Sequence, residues 1–158
     1  MVRLRPIHAI LVVGLLASLI GFANWALDGG LGHAGYERVR PDAQGRVEID
    51  TSEIGKSEVR YYRFLNAGNQ EVKFFVGRDR HGILQVAFDA SESHAQLGRG
   101  FRHEGDWMVD NKCDSASRLE NVNEGGHGCR PVALAHRVEG DRVILAEDDV
   151  LRGWRYFR

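Results

Sequence analysis

Residues Glu58 to Phe88 read EVRYYRFLNAGNQEVKFFVGRDRHGILQVAF. Glu58–Leu65 and Glu71–Val76 are rich in aromatic and β-branched residues, which suit a pleated, half-buried surface. Asn66-Ala-Gly-Asn69 between them supplies turn residues, so the pair predicts a hairpin. Side chains alternate along a strand, which places Val72, Phe74 and Val76 on one face. Asp79-Arg-His-Gly82 predicts the next turn, with His81 at the surface. Ile83–Phe88 then predicts a third strand with Leu84, Val86 and Phe88 on one face.

Strand patterns continue on both sides. Arg46–Asp50 (RVEID) alternates, with Val47 and Ile49 together, and Ser52–Ser57 reads as a turn. Val132–Val138 and Arg142–Ala146 flank Glu139-Gly140-Asp141 and predict a second hairpin. Val132, Leu134, His136 and Val138 share a face, so His136 reads as a strand-face residue. Asp148–Trp154 reads as one helical turn. No segment repeats at the spacing of a solenoid. The prediction is a small, mainly antiparallel β domain with little helix, over residues 36–158.

A chain of 158 residues with 43% hydrophobic content can build one domain with a real core. Its 21 basic residues against 22 acidic ones give no electrostatic case for nucleic acid. Arg3 and Arg5 precede an apolar run from Ile7 to Leu27, broken only by His8, Ser18 and Asn24. At a rise of about 1.5 Å per residue that run spans roughly 30 Å, a bilayer core. Residues 1–27 therefore predict a single-pass signal anchor, with positive charge before the span and the rest of the chain exported. A cleaved signal peptide is the alternative, given small residues at Ala23 and Ala26, although its apolar core is usually shorter. Residues 28–35, DGGLGHAG, read as a flexible linker.

Chemistry concentrates between Ala87 and Pro131. This stretch holds both cysteines, Cys113 and Cys129, with His94, His103, His127 and the glycines Gly125, Gly126 and Gly128. In an exported chain two cysteines most simply form one disulfide. A second reading takes His94, Asp110, Cys113 and Cys129 as metal ligands. Asp110 and Cys113 stand three residues apart, a spacing that lets a tight turn aim both side chains at one ion. Residue types and spacing leave a metal, a disulfide and a plain loop all open. Enzyme motifs are missing: there is no G-x-S-x-G elbow, no C-x-x-C pair, no C-x-x-C-H and no phosphate-cradling glycine loop. Asp148 and Asp149 fall at a helix start, where the dipole favours acids. The chain reads as non-enzymatic.

Six landmarks in fixed order carry a resemblance: VRYYRF, AFDA, GFRHEGDWMV, GGHGCRP, HRVEGDRVIL and WRYF, spanning Val59 to Phe157. The sequence resembles a bacterial family of predicted membrane proteins labelled Fe–S-containing, some of them fused to or encoded with high-affinity iron permeases. The family's first C-x-x-C pair falls here on Ser91 and His94, and its second on Asp110 and Cys113. Its last cysteine is Cys129, in GCRP where GCNP is more usual. Three of five thiols are thus replaced, and an iron–sulfur cluster, generally held by four cysteines, is not expected. Histidine and aspartate are themselves ligands, so the resemblance implies a site of His94, Asp110, Cys113 and Cys129 for zinc, iron or copper. It also implies a bacterial inner-membrane anchor with the domain in the periplasm, serving a metal permease or electron transfer. The alternative is a structural or interaction module of an envelope complex, pinned by a Cys113–Cys129 disulfide and free of metal. Such a disulfide would contribute about 3 kcal/mol on the chain-entropy model.

Overall fold

A computed structural model describes residues 14–21, 35–66, 68–124 and 127–158. The chain divides into two units, Met1–Gly35 and Tyr36–Arg158. In the first, residues 14–21 are helical and exposed, Leu15, Leu16, Leu19 and Ile20 included. The rest of the predicted span from Ile7 to Leu27, and nearly all of the linker, lies outside the described residues. Among the described residues no helix is long and apolar enough to cross a membrane.

The second unit is mainly β, as the alternating runs predict, and its strands form three sheets. The central sheet carries β1 (Tyr36–Val39), β3 (Glu58–Leu65), β4 (Glu71–Arg78), β5 (Leu84–Ser91) and β9 (Pro131–Ala133), in the order β1-β3-β4-β5-β9. All its pairings are antiparallel except β1 with β3. A second sheet joins β10 (Arg137–Glu139), β11 (Arg142–Ala146) and β2 (Arg46–Asp50). The third joins β6 (Phe101–Glu104), β7 (Trp107–Asp110) and β8 (Ala116–Arg118). A short helix, Glu147–Arg152, and a 3-10 turn, Gly153–Tyr156, close the chain.

The central sheet is buried on both faces. Phe64, Val72, Phe74, Val76, Val86 and Phe88 share one core with Val47, Ile49, Val143 and Leu145 of the second sheet. On the opposite face Phe75 and Ala87 pack with Phe101, Met108, Leu119 and Val122. Each fully buried phenylalanine contributes about 1.5–3 kcal/mol. β5 runs between the two cores, and all eight of its residues are buried. A strand covered on both sides reads as a nearly continuous apolar run, as LQVAFDA does here.

Three features differ from the sequence reading. β1 pairs in parallel at the sheet edge, held by backbone bonding along a short YERV segment with no apolar alternation to announce it. The run from Val132 to Val138 is two strands, because β9 belongs to the central sheet and β10 to the second. The chain changes sheet between them, so Leu134 is buried while Val138 is 49% exposed. The Ala87–Pro131 stretch also contributes a sheet of its own. Its β6–β7 hairpin turns through Gly105, whose φ of 60° suits a residue without a Cβ.

Candidate metal centre

β5 and β9 bring two distant parts of the sequence side by side. Their pairing shifts register between Phe88 and Ser91, so that Ser91 stands opposite Pro131. The chain leaving β5 reaches His94 within three residues, and the chain entering β9 has just passed Cys129. Cys129 Sγ consequently lies 3.6 Å from His94 Nδ1. His94 is fixed from behind by a 3-10 turn, Ala95–Leu97, in which the Leu97 N–H donates to the His94 carbonyl at 3.0 Å. On the other side Gly128, with φ of 93°, makes the bend that presents Cys129.

The other two residues come from the end of β7. Asp110 is buried, and its Oδ1 accepts the N–H of Lys112 at 2.7 Å and of Cys113 at 3.2 Å. The Asp110 N–H donates to the Ser115 carbonyl, and the Asp114 N–H donates back to the Asp110 carbonyl. Asp114 takes a left-handed φ of 53°, a conformation that aspartate tolerates better than most residues. These bonds close a tight loop, and Cys113 projects from it on the same side as Asp110.

His94, Asp110, Cys113 and Cys129 each present a ligand atom, and the four atoms lie within 4.8 Å of one another. Bonds of about 2.0–2.3 Å to a tetrahedral ion place ligand atoms roughly 3.3–3.8 Å apart. The His94–Cys129 separation of 3.6 Å already falls in that range. Cys113 and Cys129 are joined as a disulfide, with Cα atoms 6.8 Å apart. A metal needs thiolates, so this oxidised arrangement and a metal-bound one exclude each other.

Two sulfurs, one imidazole and one carboxylate suit a single zinc, iron or copper ion. They do not suit an iron–sulfur cluster, which is generally held by four thiolates, and the chain has two cysteines in all. The remaining described histidines bind elsewhere. His103 Nε2 lies 2.6 Å from the Gly105 carbonyl, His127 faces Glu92 at 3.2 Å, His81 faces Glu120, and His136 meets the Leu134 carbonyl.

Sequence reasoning missed Asp89, which lines one small cavity with Ser91, His94 and Asp110. Its Oδ1 accepts the Phe101 N–H at 2.7 Å, and Tyr36 donates its hydroxyl to Oδ2. Burial pushes the Asp89 carboxyl above its ordinary range, against the lowering effect of these two donors and of Lys73, while Asp110 adds to the rise. The Tyr36 hydroxyl is pushed up by its own burial and then by the neighbouring Asp89 charge, which keeps it a donor. The signal in the sequence was a lone carboxylate flanked by the apolar Val86, Ala87, Phe88 and Ala90 of one strand.

The family model described as membrane iron-sulfur containing protein, FtrD-like, covers residues 54–157. No curated protein and no solved structure matches the chain. The family model spans most of the domain that carries the four converging side chains, and the chain belongs to the FtrD-like family of membrane iron-sulfur containing proteins.

Proposed function

We propose that residues 36–158 form a periplasm-facing domain, anchored by residues 1–27 in a bacterial inner membrane, that binds one transition-metal ion. The reading places it in iron or other transition-metal uptake, or in electron transfer, beside a metal permease. The observation that carries it is the convergence of four donor atoms from three separate parts of the chain. The family's description as membrane iron-sulfur proteins supports the association with iron. The apolar run from Ile7 to Leu27 supports the anchor.

His94, Asp110, Cys113 and Cys129 would hold the ion. Iron or copper bound there would supply a one-electron carrier, and zinc a structural cross-link. The chain's part is to aim the ligands. β5 and β9 hold His94 against Cys129, and the Asp110 loop fixes Cys113 through backbone bonds. The disulfide favours a second reading, a structural or interaction module of an envelope complex without metal.

Metal analysis of the chain purified anaerobically under reducing conditions separates the two. About one equivalent of iron, copper or zinc per chain supports the metal domain. A metal-free chain that stays so when the ions are supplied supports the disulfide-pinned module.

A further inference from the structure

We propose that a second site, between β8 and the segment entering β9, binds a small organic acid carrying two or more carboxylates. The pocket has a volume of about 230 Å³ and is lined by Trp107, Ser117, Arg118, Val122, Arg130 and Pro131 among others. None of His94, Asp110, Cys113 and Cys129 lines it, so the inference stands apart from the metal reading.

The donors in this pocket outnumber their acceptors. The Arg118 guanidinium stacks over the Trp107 ring, 4.6 Å from its centroid. Stacking uses the flat face of the group and leaves its in-plane N–H donors free to point at a ligand. The Glu120 carboxylate near Arg118 is 3.9 Å away, too far for a hydrogen bond, and already receives two from Arg80, at 2.8 and 3.0 Å. Arg130 is exposed and pairs with no carboxylate among the described residues. The Ser117 hydroxyl is buried and has no hydrogen-bond partner among the described residues.

Two guanidinium groups, one of them only loosely paired with Glu120, and an unpartnered hydroxyl call for a ligand rich in anionic oxygen. Carboxylates meet the planar fork of arginine with two parallel bonds. Val122 and Pro131 give the same pocket an apolar wall, which a carbon skeleton can cover and inorganic phosphate cannot.

Isothermal titration of the oxidised full chain, without added metal, tests this with succinate, citrate, inorganic phosphate and acetate. Succinate or citrate should bind saturably, more tightly than phosphate or acetate, and more weakly as salt rises. Arg130→Gln and Arg118→Gln should each weaken that binding at least about tenfold, the scale of one lost charge-assisted contact. Arg130 is exposed, so its variant carries the test if Arg118→Gln fails to fold. Phosphate binding as tightly as the dicarboxylate would overturn the organic-acid assignment. Absence of saturable binding, or unchanged affinity in the folded arginine variants, would overturn the site.

Discussion

Cys129 Sγ stands 3.6 Å from His94 Nδ1, although the two residues are 35 positions apart in sequence. That spacing suits a pair of ligands on one ion, and it exists while Cys129 is still tied to Cys113. Opening the disulfide would therefore release two thiolates beside an imidazole already in place. Replacing His94 by alanine should weaken zinc binding to the reduced chain by more than the ~10–100-fold typical of losing an outer-shell partner. Circular dichroism should be unchanged, since His94 is only partly buried at a loop. Equal zinc affinities for wild type and variant would remove His94 from the site.

Cys113→Ser removes the disulfide, whose ends are 16 residues apart. The oxidised wild type should be more stable than this variant by about 3 kcal/mol on the chain-entropy model. Reduced wild type and Cys113→Ser should unfold at similar denaturant concentrations in the absence of metal. A large difference between those two would show that Cys113 acts through packing.

Asp89 gives a pH dependence whose sign follows from its burial. Burial raises its folded pKa above the unfolded value of about 3.9. Its contribution to stability is complete below the unfolded pKa and is lost as pH rises through the folded one. Asp89→Asn cannot ionise, so its melting temperature relative to wild type should rise between pH 4 and pH 8. A relative melting temperature that falls over that interval would mean that Tyr36 and Phe101 stabilise the carboxylate more than burial opposes it.

Gly98 and Gly100 allow the Asp89 contact to be isolated. Both have φ of 59°, but a Cβ on Gly98 meets nothing, whereas one on Gly100 would overlap the Asp89 carboxylate. Alanine at either position incurs the left-handed backbone penalty of about 1 kcal/mol. Gly100→Ala should cost a further ~1–3 kcal/mol for the overlap, read as a lower urea midpoint than that of Gly98→Ala. Matching midpoints would show that Asp89 moves aside freely.

The strands were legible where one side chain in two meets a core. β2 carries that alternation, with Val47 and Ile49 buried between exposed neighbours, whereas β3, β4 and β11 are buried over consecutive residues and were legible from their aromatic and β-branched content. β1 was not legible, because Tyr36–Val39 is held by backbone pairing at an edge. β6 to β8 were obscured by the charged and small residues between Phe101, Met108 and Leu119, and only burial on a second face of the central sheet reveals their role. The positions of Cys113 and Cys129 were readable as a pair, and Asp110-x-x-Cys113 as a turn. Their approach to His94 depends on the register of β5 against β9, which no local pattern encodes. Arg118 and Arg130 were silent for the same reason, since β8 and the segment entering β9 bring them to one pocket.

Cobalt titration tests the metal centre most directly, because thiolate-bound cobalt has a strong charge-transfer absorption that carboxylate or imidazole alone does not give. The full chain, reduced and kept anaerobic, should bind about one cobalt ion and develop that absorption. Protons compete for thiolate and imidazole, so binding should weaken on acidification. Oxidation to the Cys113–Cys129 disulfide should abolish the absorption, and Cys129→Ser should sharply reduce it. A reduced wild-type chain that takes up no cobalt, or takes it up without any thiolate absorption, would contradict a metal centre built on Cys113 and Cys129.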